Sequence, residues 1–352
     1  MNKNEIINKC LRPRLGPSLI IMAAKRPVRV ASYNVLSNWL CSGEGSYGFA
    51  RCRPSDLDSN VRLERVRGKL AAQMSRGAIV ALQEVSRDWC GELVPFFEAA
   101  GYAHVSVLSG GAKGGHMGQV VAWPREDYAL REVDMPRIGG TVPSGGGTSA
   151  WEDAVGRHNC AAMVRLEQRS NDDSSRSSFC VANYHMPCAF GSDERCQVVV
   201  AHASMLLQHA QRWAGGKPLV VLGDFNFDPS SAAYSLVANG TLDATHPQRP
   251  QPNKSVGWDL AVEPMRSAYV TAWGREPEFT NFAHTGEVGN VGGSTSLPFC
   301  ETLDYIWLSE EWSVRDVKSL PSKESLTAQS LLSYPTEDEP SDHLLLAASL
   351  TL

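Results

Sequence analysis

Residues 220–229, VVLGDFNFDP, pass directly from a buried strand into a turn that carries polar side chains. The aliphatic run Val220–Leu222 is typical of a strand that is buried on both faces. After Gly223, Asp224 and Asn226 stand two residues apart around an aromatic residue. An Asx turn that merely closes the strand would account for them. A strand that delivers two polar groups to a functional site is the other interpretation, and the neighbouring strands decide between the two.

Composition limits the classes of function. The chain has 352 residues, of which 43% are hydrophobic and 20% are charged, as is usual for a globular protein. The net charge of −5 argues against general adhesion to nucleic acid or an anionic membrane, although a local basic groove or a phosphate-binding metal is compatible with it. Nine cysteines, scattered without a CxxC pair and without a secretory signal, predict a reducing compartment, with the cytoplasm as the default location.

The first segment, residues 1–26, is basic, and its apolar stretch is too short to cross a bilayer. We interpret it as a disordered tail, with a mitochondrial targeting segment as the alternative and translation from Met22 as another. From residue 27 to 352, strand-like and helix-like segments alternate without a convincing break. The sequence therefore predicts one continuous α/β domain over residues 27–352, whose sheets are mixed or antiparallel because strands often follow one another without a helix.

Helical spacing over residues 58–76 places Val61, Val66, Leu70 and Met74 on one face of a predicted helix. A second amphipathic helix is predicted over residues 197–213. Gly- and Ser-rich stretches predict mobile loops at residues 139–150, 168–178 and 285–296.

Polar side chains stand at the ends of several predicted strands. A carboxylate near a core is costly unless it is paired, and each of these residues, taken singly, has a structural explanation such as a turn, a helix cap or a satisfied buried acid. Their repetition at strand ends favours a shared site. The residues concerned are Asn34, Glu84, His185, Asp224, Asn226, Asp304, Asp342 and His343.

The chemistry of this set is coherent. Carboxylate and amide oxygens are ligands for Mg²⁺ or Mn²⁺, and Glu84 is the first candidate, with Asp224, Asn226 and Asp342 adding others directly or through water. His343 with Asp304 would form an oriented imidazole. Asn34 and His185 are candidates for donating hydrogen bonds to a phosphoryl group. The sequence contains neither a GxxxxGK[ST] loop nor a GxSxG elbow.

In chain order, SYNVLS, LQEV, YHM, GDFN, LDYI and SDH resemble the motifs of the endonuclease/exonuclease/phosphatase superfamily, the DNase I-like phosphodiesterases. The resemblance runs from about Val28 to the end. It implies an α/β (α+β) fold, a four-layer sandwich of two packed mixed β-sheets flanked by helices, with a metal site at one rim. It also implies a hydrolase that cleaves phosphate esters with water.

The roles implied by the resemblance attach to individual residues. Glu84 resembles the principal metal ligand, and Asp224 the residue that positions or deprotonates the attacking water. Asn34 and Asn226 resemble residues that hold metal or phosphate. The remaining roles are a phosphate-contacting histidine at His185, an orienting pair at Asp304 and His343, and an acidic neighbour of the metal at Asp342.

Within the superfamily, YNVLSNWL, FTNF, PFCETLDYIWLS and EPSDHLLLAASL are most similar to the branch of carbon-catabolite-repressor deadenylases, nocturnin, Angel and 2′-phosphodiesterase. This resemblance implies an aromatic residue that stacks on a nucleobase, for which Phe299 is the candidate. The histidine loop YHMPCAF departs from the classical deadenylases, so Pro187, Cys188 and Phe190 are expected to shape the pocket differently. Further candidate contacts are Lys113, Arg157 and His158.

We therefore expect a Mg²⁺-dependent 3′-to-5′ exoribonuclease of deadenylase-like type that binds single-stranded RNA. The alternatives are a hydrolase of a small nucleotide phosphate ester (a 2′,5′- or cyclic phosphate, or a dinucleotide phosphate) and a nuclease of DNA-repair type. A non-enzymatic alternative is an RNA- or protein-binding scaffold, which the retained site residues disfavour. No membrane association is expected, and the sequence does not identify protein partners.

Overall fold

The computed structural model describes residues 26–42, 48–49, 51–109, 115–143, 147–169, 177–251, 257–285 and 298–352. Its strands are β1 (Val28–Asn34), β2 (Ile79–Ser86), β3 (Tyr102–Ser109), β4 (Met117–Pro124), β5 (Tyr128–Asp134), β6 (Ala162–Gln168), β7 (Ser178–His185), β8 (Leu219–Asp224), β9 (Arg266–Ser267), β10 (Asn281–Ala283), β11 (Phe299–Glu301), β12 (Asp304–Leu308), β13 (Ser313–Val317) and β14 (Leu346–Thr351).

Helices separate many of these strands. They are α1 (Asn38–Cys41), α2 (Pro54–Leu57), α3 (Ser59–Met74), α4 (Arg87–Ala99), α5 (Ser149–Gly156), α6 (Asp193–Ala214), α7 (Ala232–Asn239), α8 (Ala268–Trp273) and α9 (Lys323–Ala328), with a 3₁₀ turn at Ile138–Gly140. The longest, α6, begins after Ser192, whose side chain accepts a hydrogen bond from the Arg195 amide. It ends at Gly215, which has a left-handed φ of 61°. No described helix combines the length and the apolar composition that a bilayer span requires.

Two six-stranded mixed sheets form the centre of the fold. In the first sheet, ordered β13–β14–β1–β2–β4–β3, β1 and β2 run parallel and the other neighbours antiparallel. In the second sheet, ordered β5–β6–β7–β8–β12–β9, β7 and β8 are the parallel pair. Strands β10 and β11 form a small antiparallel ribbon.

Alternation along the strands creates the layers, because successive side chains of a strand point to opposite faces of its sheet. Val28 and Val30 of β1 pack in the core between the two sheets, whereas Ala31 and Tyr33 pack against helices α3 and α4. Strand β8 alternates in the same way between the inter-sheet core and the core beneath α6. The result is helix, sheet, sheet, helix, which confirms the predicted four-layer sandwich.

The face of helix α3 differs from the prediction in one residue. Val61 is 37% exposed, and Leu63 is buried in its place. The reason is geometric, because the five residues from Val61 to Val66 turn a helix about 140° away from the buried face. The neighbouring Arg62 is fully buried and donates to the carbonyl oxygens of two loops.

Two predictions about segments need correction or lie beyond the described residues. Residues 139–150 are not wholly irregular, because a 3₁₀ turn and the start of α5 occupy the two ends of this stretch. Helix α6 starts four residues before the predicted position. The following predicted segments lie wholly or mostly outside the described residues: the tail 1–26, the glycine-rich loop 110–118 with Lys113, and the loops 168–178 and 285–296.

Candidate active site

Strand register places three of the predicted site residues side by side at the rim of the second sheet. In the parallel pairing of β7 with β8, His185 lies opposite Asp224. In the antiparallel pairing of β8 with β12, Asp304 lies on the other side of Asp224. The turn after Asp224 continues with Asn226, whose backbone amide donates to Asp224 Oδ1 at 2.9 Å. The stretch VVLGDFNFDP is therefore both a turn and part of this cluster.

The first sheet contributes Asn34 and Glu84 from the ends of its two parallel strands. Asn34 pairs with Gln83, and the register of β2 shifts between Leu82 and Val85, so that Glu84 lies in a bulge. Bulges redirect a side chain out of the regular strand alternation. Glu84 accepts a hydrogen bond from Asn34 Nδ2 at 3.0 Å through Oε1, and one from the Ser37 amide at 3.0 Å through Oε2.

Asn34 connects the two sheets. Its Nδ2 donates to Glu84 Oε1 and, at 2.9 Å, to Asp224 Oδ2. Its Oδ1 accepts from the Leu36 amide at 3.0 Å, and this contact requires an oxygen at that position. Both amide hydrogens of Asn34 therefore go to carboxylates of the site, while its oxygen, which accepts one hydrogen bond, keeps a second lone pair. The roles of Asn34 in binding substrate and metal stay predictions.

Asp304 and His343 form a buried pair. His343 Nδ1 lies 2.8 Å from Asp304 Oδ2, which also accepts from Thr280 Oγ1 at 2.6 Å. Burial raises the pKa of Asp304 to about 6. Burial lowers the pKa of His343, but Asp304, Asp224 and Asp342 together outweigh it and raise this pKa well above its ordinary value. Two donors stabilise the ionised Asp304, so the pair keeps its proton on the imidazole.

His343 Nε2 and His185 Nε2 both face Asp224, at 3.7 and 3.5 Å from its Oδ2. His185 Nε2 also lies 3.8 Å from Glu84 Oε1. The carbonyl of His185 accepts from Asn159 Nδ2 at 2.9 Å, which fixes the loop that follows β7. Asn34 and two imidazoles therefore converge on one carboxylate oxygen.

Asp342 lies in the same pocket but outside the tightest cluster. Its carboxylate accepts from Asn281 Nδ2 at 3.3 Å and from Ser341 Oγ at 3.4 Å, and burial raises its pKa. Ser341 Oγ also reaches the carbonyl of Asn34 at 2.7 Å. The segment carrying Asp342 and His343 is thus tied to the end of β1.

Left-handed backbone conformations are concentrated at the site. Leu36, Glu84 and Asn226 have φ values of 53°, 57° and 49°. Such conformations cost free energy for residues other than glycine and persist where the surroundings impose them. Gly223 has a φ of 145°, and a Cβ there would lie 1.9 Å from the Tyr184 carbonyl oxygen, so glycine is required just before Asp224.

A pocket of about 450 Å³ is lined by six of the predicted site residues: Glu84, His185, Asp224, Asn226, Asp342 and His343. Phe190 and Phe299 stand at its edge, 47% and 43% exposed, with ring centroids 6.4 Å apart and planes inclined by 19°. Arg157 also lines the pocket and pairs with Asp153, whereas His158 is exposed and lies outside the lining. Phe299, which was predicted to contact a base, thus lies at the edge of this pocket next to Phe190.

Several side chains of the site carry atoms that could bind a divalent cation. Within the described residues, two groups have ligand atoms all within 4.8 Å of one another: Glu84 with His185 and Asp224, and Asp224 with Asp304 and His343. In the second group the imidazole already donates to Asp304. The first group offers the carboxylates of Glu84 and Asp224. The basic side chains next to them are the imidazoles of His185 and His343. Two neighbouring carboxylates suit Mg²⁺ or Mn²⁺, so the residues fit the expected metal.

Some structural supports of the site were missed by the sequence interpretation. Thr280 Oγ1 donates to Asp304 Oδ2 and accepts from the Leu303 and Asp304 amides at 2.9 Å. Thr280 belongs to the FTNF motif, and this motif was the signal in the sequence that could have identified it. Ser341 belonged to the quoted SDH motif, but its bond to the Asn34 carbonyl has no local sequence signature.

Known proteins share this architecture. The model of the Endonuclease/Exonuclease/phosphatase family matches residues 31–343. Human 2′,5′-phosphodiesterase 12 is 25% identical over 342 residues, which cover 92% of this chain and 51% of that protein. The CCR4-Not complex 3′-5′-exoribonuclease subunit Ccr4 of Aspergillus fumigatus is 34% identical over 136 residues, 38% of this chain and 18% of the relative. The chain thus spans about half the length of the curated relatives that align with most of this chain.

Solved structures show the same fold. The crystal structure of ANGEL2, a 2′,3′-cyclic phosphatase, in complex with adenosine-2′,3′-vanadate superimposes with a TM-score of 0.72 at 22% identity, covering 93% of this chain and 96% of that chain. The human Nocturnin catalytic domain with bound sulfate anion superimposes with a TM-score of 0.59 at 21% identity, covering 93% of each chain. The resemblance seen in the motifs is confirmed: this chain belongs to the endonuclease/exonuclease/phosphatase family.

Proposed function

We propose that this protein is a divalent-metal-dependent phosphodiesterase that hydrolyses nucleotide phosphate esters with water, with 3′-to-5′ exoribonuclease activity of deadenylase-like type as the first candidate. The observation that carries the proposal is the convergence of Asn34 Nδ2, His185 Nε2 and His343 Nε2 on Asp224 Oδ2, beside Glu84. Donors, carboxylates and a pocket wall of aromatic rings are what a nucleotide phosphate requires.

We assign to Asp224 the role of positioning the attacking water. Its Oδ1 is held by the Asn226 amide, while its Oδ2 faces the donors at the floor of the pocket. A carboxylate fixed in this way can orient a water molecule and accept its proton as it attacks the phosphorus. Asn226 donates through Nδ2 to the Met186 carbonyl at 2.9 Å, which leaves its Oδ1 available to a ligand.

We assign to His343 and His185 the hydrogen bonds to the phosphoryl oxygens, and to Asn34 the positioning of Glu84 and Asp224. The Nε2 atoms of the two imidazoles lie beside Asp224 Oδ2, so a phosphate placed there lies within reach of both. Asp304 holds the Nδ1–H of His343, so that Nε2 carries the second proton and points into the site. These donors stabilise the charge that develops on the phosphate in the transition state.

Glu84 and Asp224 are the residues that would hold Mg²⁺ or Mn²⁺, with Asp342 as a neighbouring carboxylate. A bound divalent cation at such a site neutralises negative charge on the phosphoryl oxygens.

A nucleotide is favoured over other phosphate esters because of Phe299 and Phe190. Two large aromatic side chains exposed side by side at a pocket edge offer ring faces to a base, and stacking tolerates any base. A preference for adenine is part of the deadenylase-like proposal and rests on the similarity of this chain to the Ccr4 subunit.

The second candidate is hydrolysis of a 2′,5′-linked or a 2′,3′-cyclic phosphate. It is favoured by the relatives that align along nearly the whole chain, which are named a 2′,5′-phosphodiesterase and a 2′,3′-cyclic phosphatase.

A substrate panel tests the proposal. The protein is incubated with Mg²⁺ or Mn²⁺ and 5′-labelled oligo(A), mixed-sequence RNA, single-stranded DNA, a 2′,5′-linked adenylate and 2′,3′-cyclic AMP. An RNA ladder that shortens from the 3′ end, and is absent with Asp224→Asn, is the expected result. Cleavage restricted to the 2′,5′-linked or cyclic substrate would select the second candidate. If a folded protein hydrolyses no phosphate ester with either metal, the proposal is wrong.

A further inference from the structure

A second pair of stacked rings lies next to the pocket. Trp39 and His116 have ring centroids 5.0 Å apart and planes inclined by only 7°. Trp39 is 38% exposed, and His116 is also exposed. A single exposed aromatic side chain is common on protein surfaces, so the case for a role depends on where this pair lies.

Both rings are carried by segments that border the catalytic residues. Leu40, next to Trp39, and Met117, next to His116, line the pocket that contains Glu84 and Asp224. The backbone of both segments is held in place, because the Asn38 amide donates to Ser86 Oγ at 2.7 Å. The Arg87 amide likewise donates to the His116 carbonyl at 3.1 Å.

The two aromatic pairs are carried by different elements around one pocket. Trp39 follows β1 and His116 precedes β4, so this pair belongs to the first sheet, whose contribution to the site is Asn34 and Glu84. Phe190 follows β7 of the second sheet, and Phe299 starts β11 of the ribbon, opposite Ala283, which packs in one cluster with Leu40 and Met117. The segments that carry Trp39 and His116 therefore border the ribbon that carries Phe299, along the edge of the same pocket.

We propose that Trp39 and His116 form a second base-stacking platform, which receives another nucleoside of the substrate whose first base stacks on Phe299. The proposal rests on the function proposed above and specifies its substrate class: a linear oligonucleotide, 3′,5′- or 2′,5′-linked, with at least two bases. A cyclic mononucleotide has one base and would engage one pair.

Stacking explains why flat, parallel rings would serve this purpose. A base adds its face to an existing stack without specific hydrogen bonds, and such contacts tolerate any sequence. The exposed Trp273 offers a contrast, because it packs against Tyr269 with planes inclined by 80° and centroids 4.8 Å apart, on helix α8 away from the pocket lining. Trp273 is therefore the matched control for Trp39.

The test compares Trp39→Ala, Trp39→Phe and Trp273→Ala on two substrates, an adenylate dinucleotide and bis(4-nitrophenyl) phosphate, which has no nucleobase. Trp39→Ala should raise KM for the dinucleotide about tenfold, the order of loss expected when one stacked base loses its platform, and Trp39→Phe should stay within about threefold of wild type. The effect of Trp39→Ala on the ester without a base should be several times smaller. Trp273→Ala should leave both reactions as they are.

A binding measurement separates this proposal from the proposed function. Fluorescence anisotropy of a labelled tetra-adenylate is followed on Asp224→Asn and on Asp224→Asn combined with Trp39→Ala, which requires no turnover. An about tenfold weaker Kd in the double variant supports the platform whether or not the wild type cleaves RNA. An unchanged Kd, or an equal loss by Trp39→Ala on both ester substrates, would overturn it.

Discussion

Asp224 and Asp304 lie directly opposite each other on two antiparallel strands, yet each acid has a different set of partners. Asp304 is turned to the buried His343 and Thr280, whereas Asp224 faces Asn34 and the pocket. One pairing of strands thus supplies both a buried carboxylate that is bound to an imidazole and a carboxylate that faces the pocket.

Asp304→Asn should separate these two roles. The amide cannot hold the Nδ1–H of His343 as the carboxylate does, so kcat should fall by about 10²- to 10⁴-fold, the usual contribution of acid–base and orienting groups. KM should change by less than about threefold, because the substrate contacts remain. Steady-state kinetics with Asp316→Asn, an exposed acid on β13, provide the comparison. A variant that keeps wild-type kcat would show that the pair is merely structural.

Glu84→Gln should abolish both catalysis and stabilisation by metal. If Mg²⁺ binds the folded protein, it raises the free energy of unfolding by about 2.7 kcal/mol at a concentration 100 times its Kd. Differential scanning calorimetry should show a Tm that rises with Mg²⁺ or Mn²⁺ in the wild type and in the exposed-site control Glu310→Gln. The same titration should leave the Tm of Glu84→Gln unchanged. An equal rise in all three proteins would place the metal elsewhere.

Phe299→Ala should weaken substrate binding without changing the chemistry. Loss of one stacked base costs about 1–3 kcal/mol, so KM for an oligonucleotide should rise by about 5- to 150-fold at nearly constant kcat. Phe299→Trp keeps a ring face and should retain most of the affinity. Leu332, 57% exposed, gives the control substitution Leu332→Ala. A large fall in kcat with KM unchanged would assign Phe299 another role.

Arg62→Ala should destabilise the fold by about 3–5 kcal/mol, which is at the upper end for single substitutions. The guanidinium is fully buried and donates to the carbonyl oxygens of Val35 at 2.5 Å and Pro340 at 2.8 Å, so its loss leaves buried acceptors without partners. Arg67, on the same helix, makes ion pairs with exposed acids, and Arg67→Ala should cost less than about 1 kcal/mol. Urea unfolding of both variants measures the difference, and similar losses in the two would contradict the expectation.

His202 should make the protein sensitive to mild acid. Its Nδ1 lies 2.8 Å from Tyr184 Oη and its Nε2 2.8 Å from the Ala154 carbonyl, and burial lowers its pKa to about 4. Because the unfolded chain takes up a proton near pH 6.5 and the folded chain near pH 4, stability is complete above pH 6.5 and is lost as the pH falls between these values.

Because of His202, the free energy of unfolding should be about 2 kcal/mol lower at pH 5 than at pH 8. Urea unfolding at the two pH values should show this loss in the wild type and a smaller loss in His202→Gln, even though that variant is less stable at pH 8. An equal pH dependence in both proteins would assign the acid sensitivity to other groups.

The resemblance to a family predicted the layers, and local patterns predicted the strand ends whose side chains the fold brings together. Aliphatic runs ending in polar residues identified the strands and the rim, and the motif order identified the family. The contacts that decide which atom of a residue faces the site are not local. The engagement of Asn34 Oδ1 by the Leu36 amide, which fixes the orientation of this side chain, depends on a left-handed turn at Leu36.

The stacked pair of Trp39 and His116 shows the same limit. Neither residue follows an aliphatic run in the way that Asp224 does. They come together because β1, which precedes Trp39, and β4, which follows His116, both pair with β2. The exposed position of Val61 reflects an error in helical phase, since Leu63, Val66, Leu70 and Met74 already have the regular spacing of one buried helix face.

The position of β14 between β13 and β1 has a consequence for biosynthesis. This strand, together with Asp342 and His343, is translated after every other described strand and helix, yet it lies inside the first sheet. A chain that is cut short before this segment lacks His343 and leaves β1 unpaired along one side. The first sheet and the candidate site can therefore be completed only after the segment with Asp342, His343 and β14 has been synthesised.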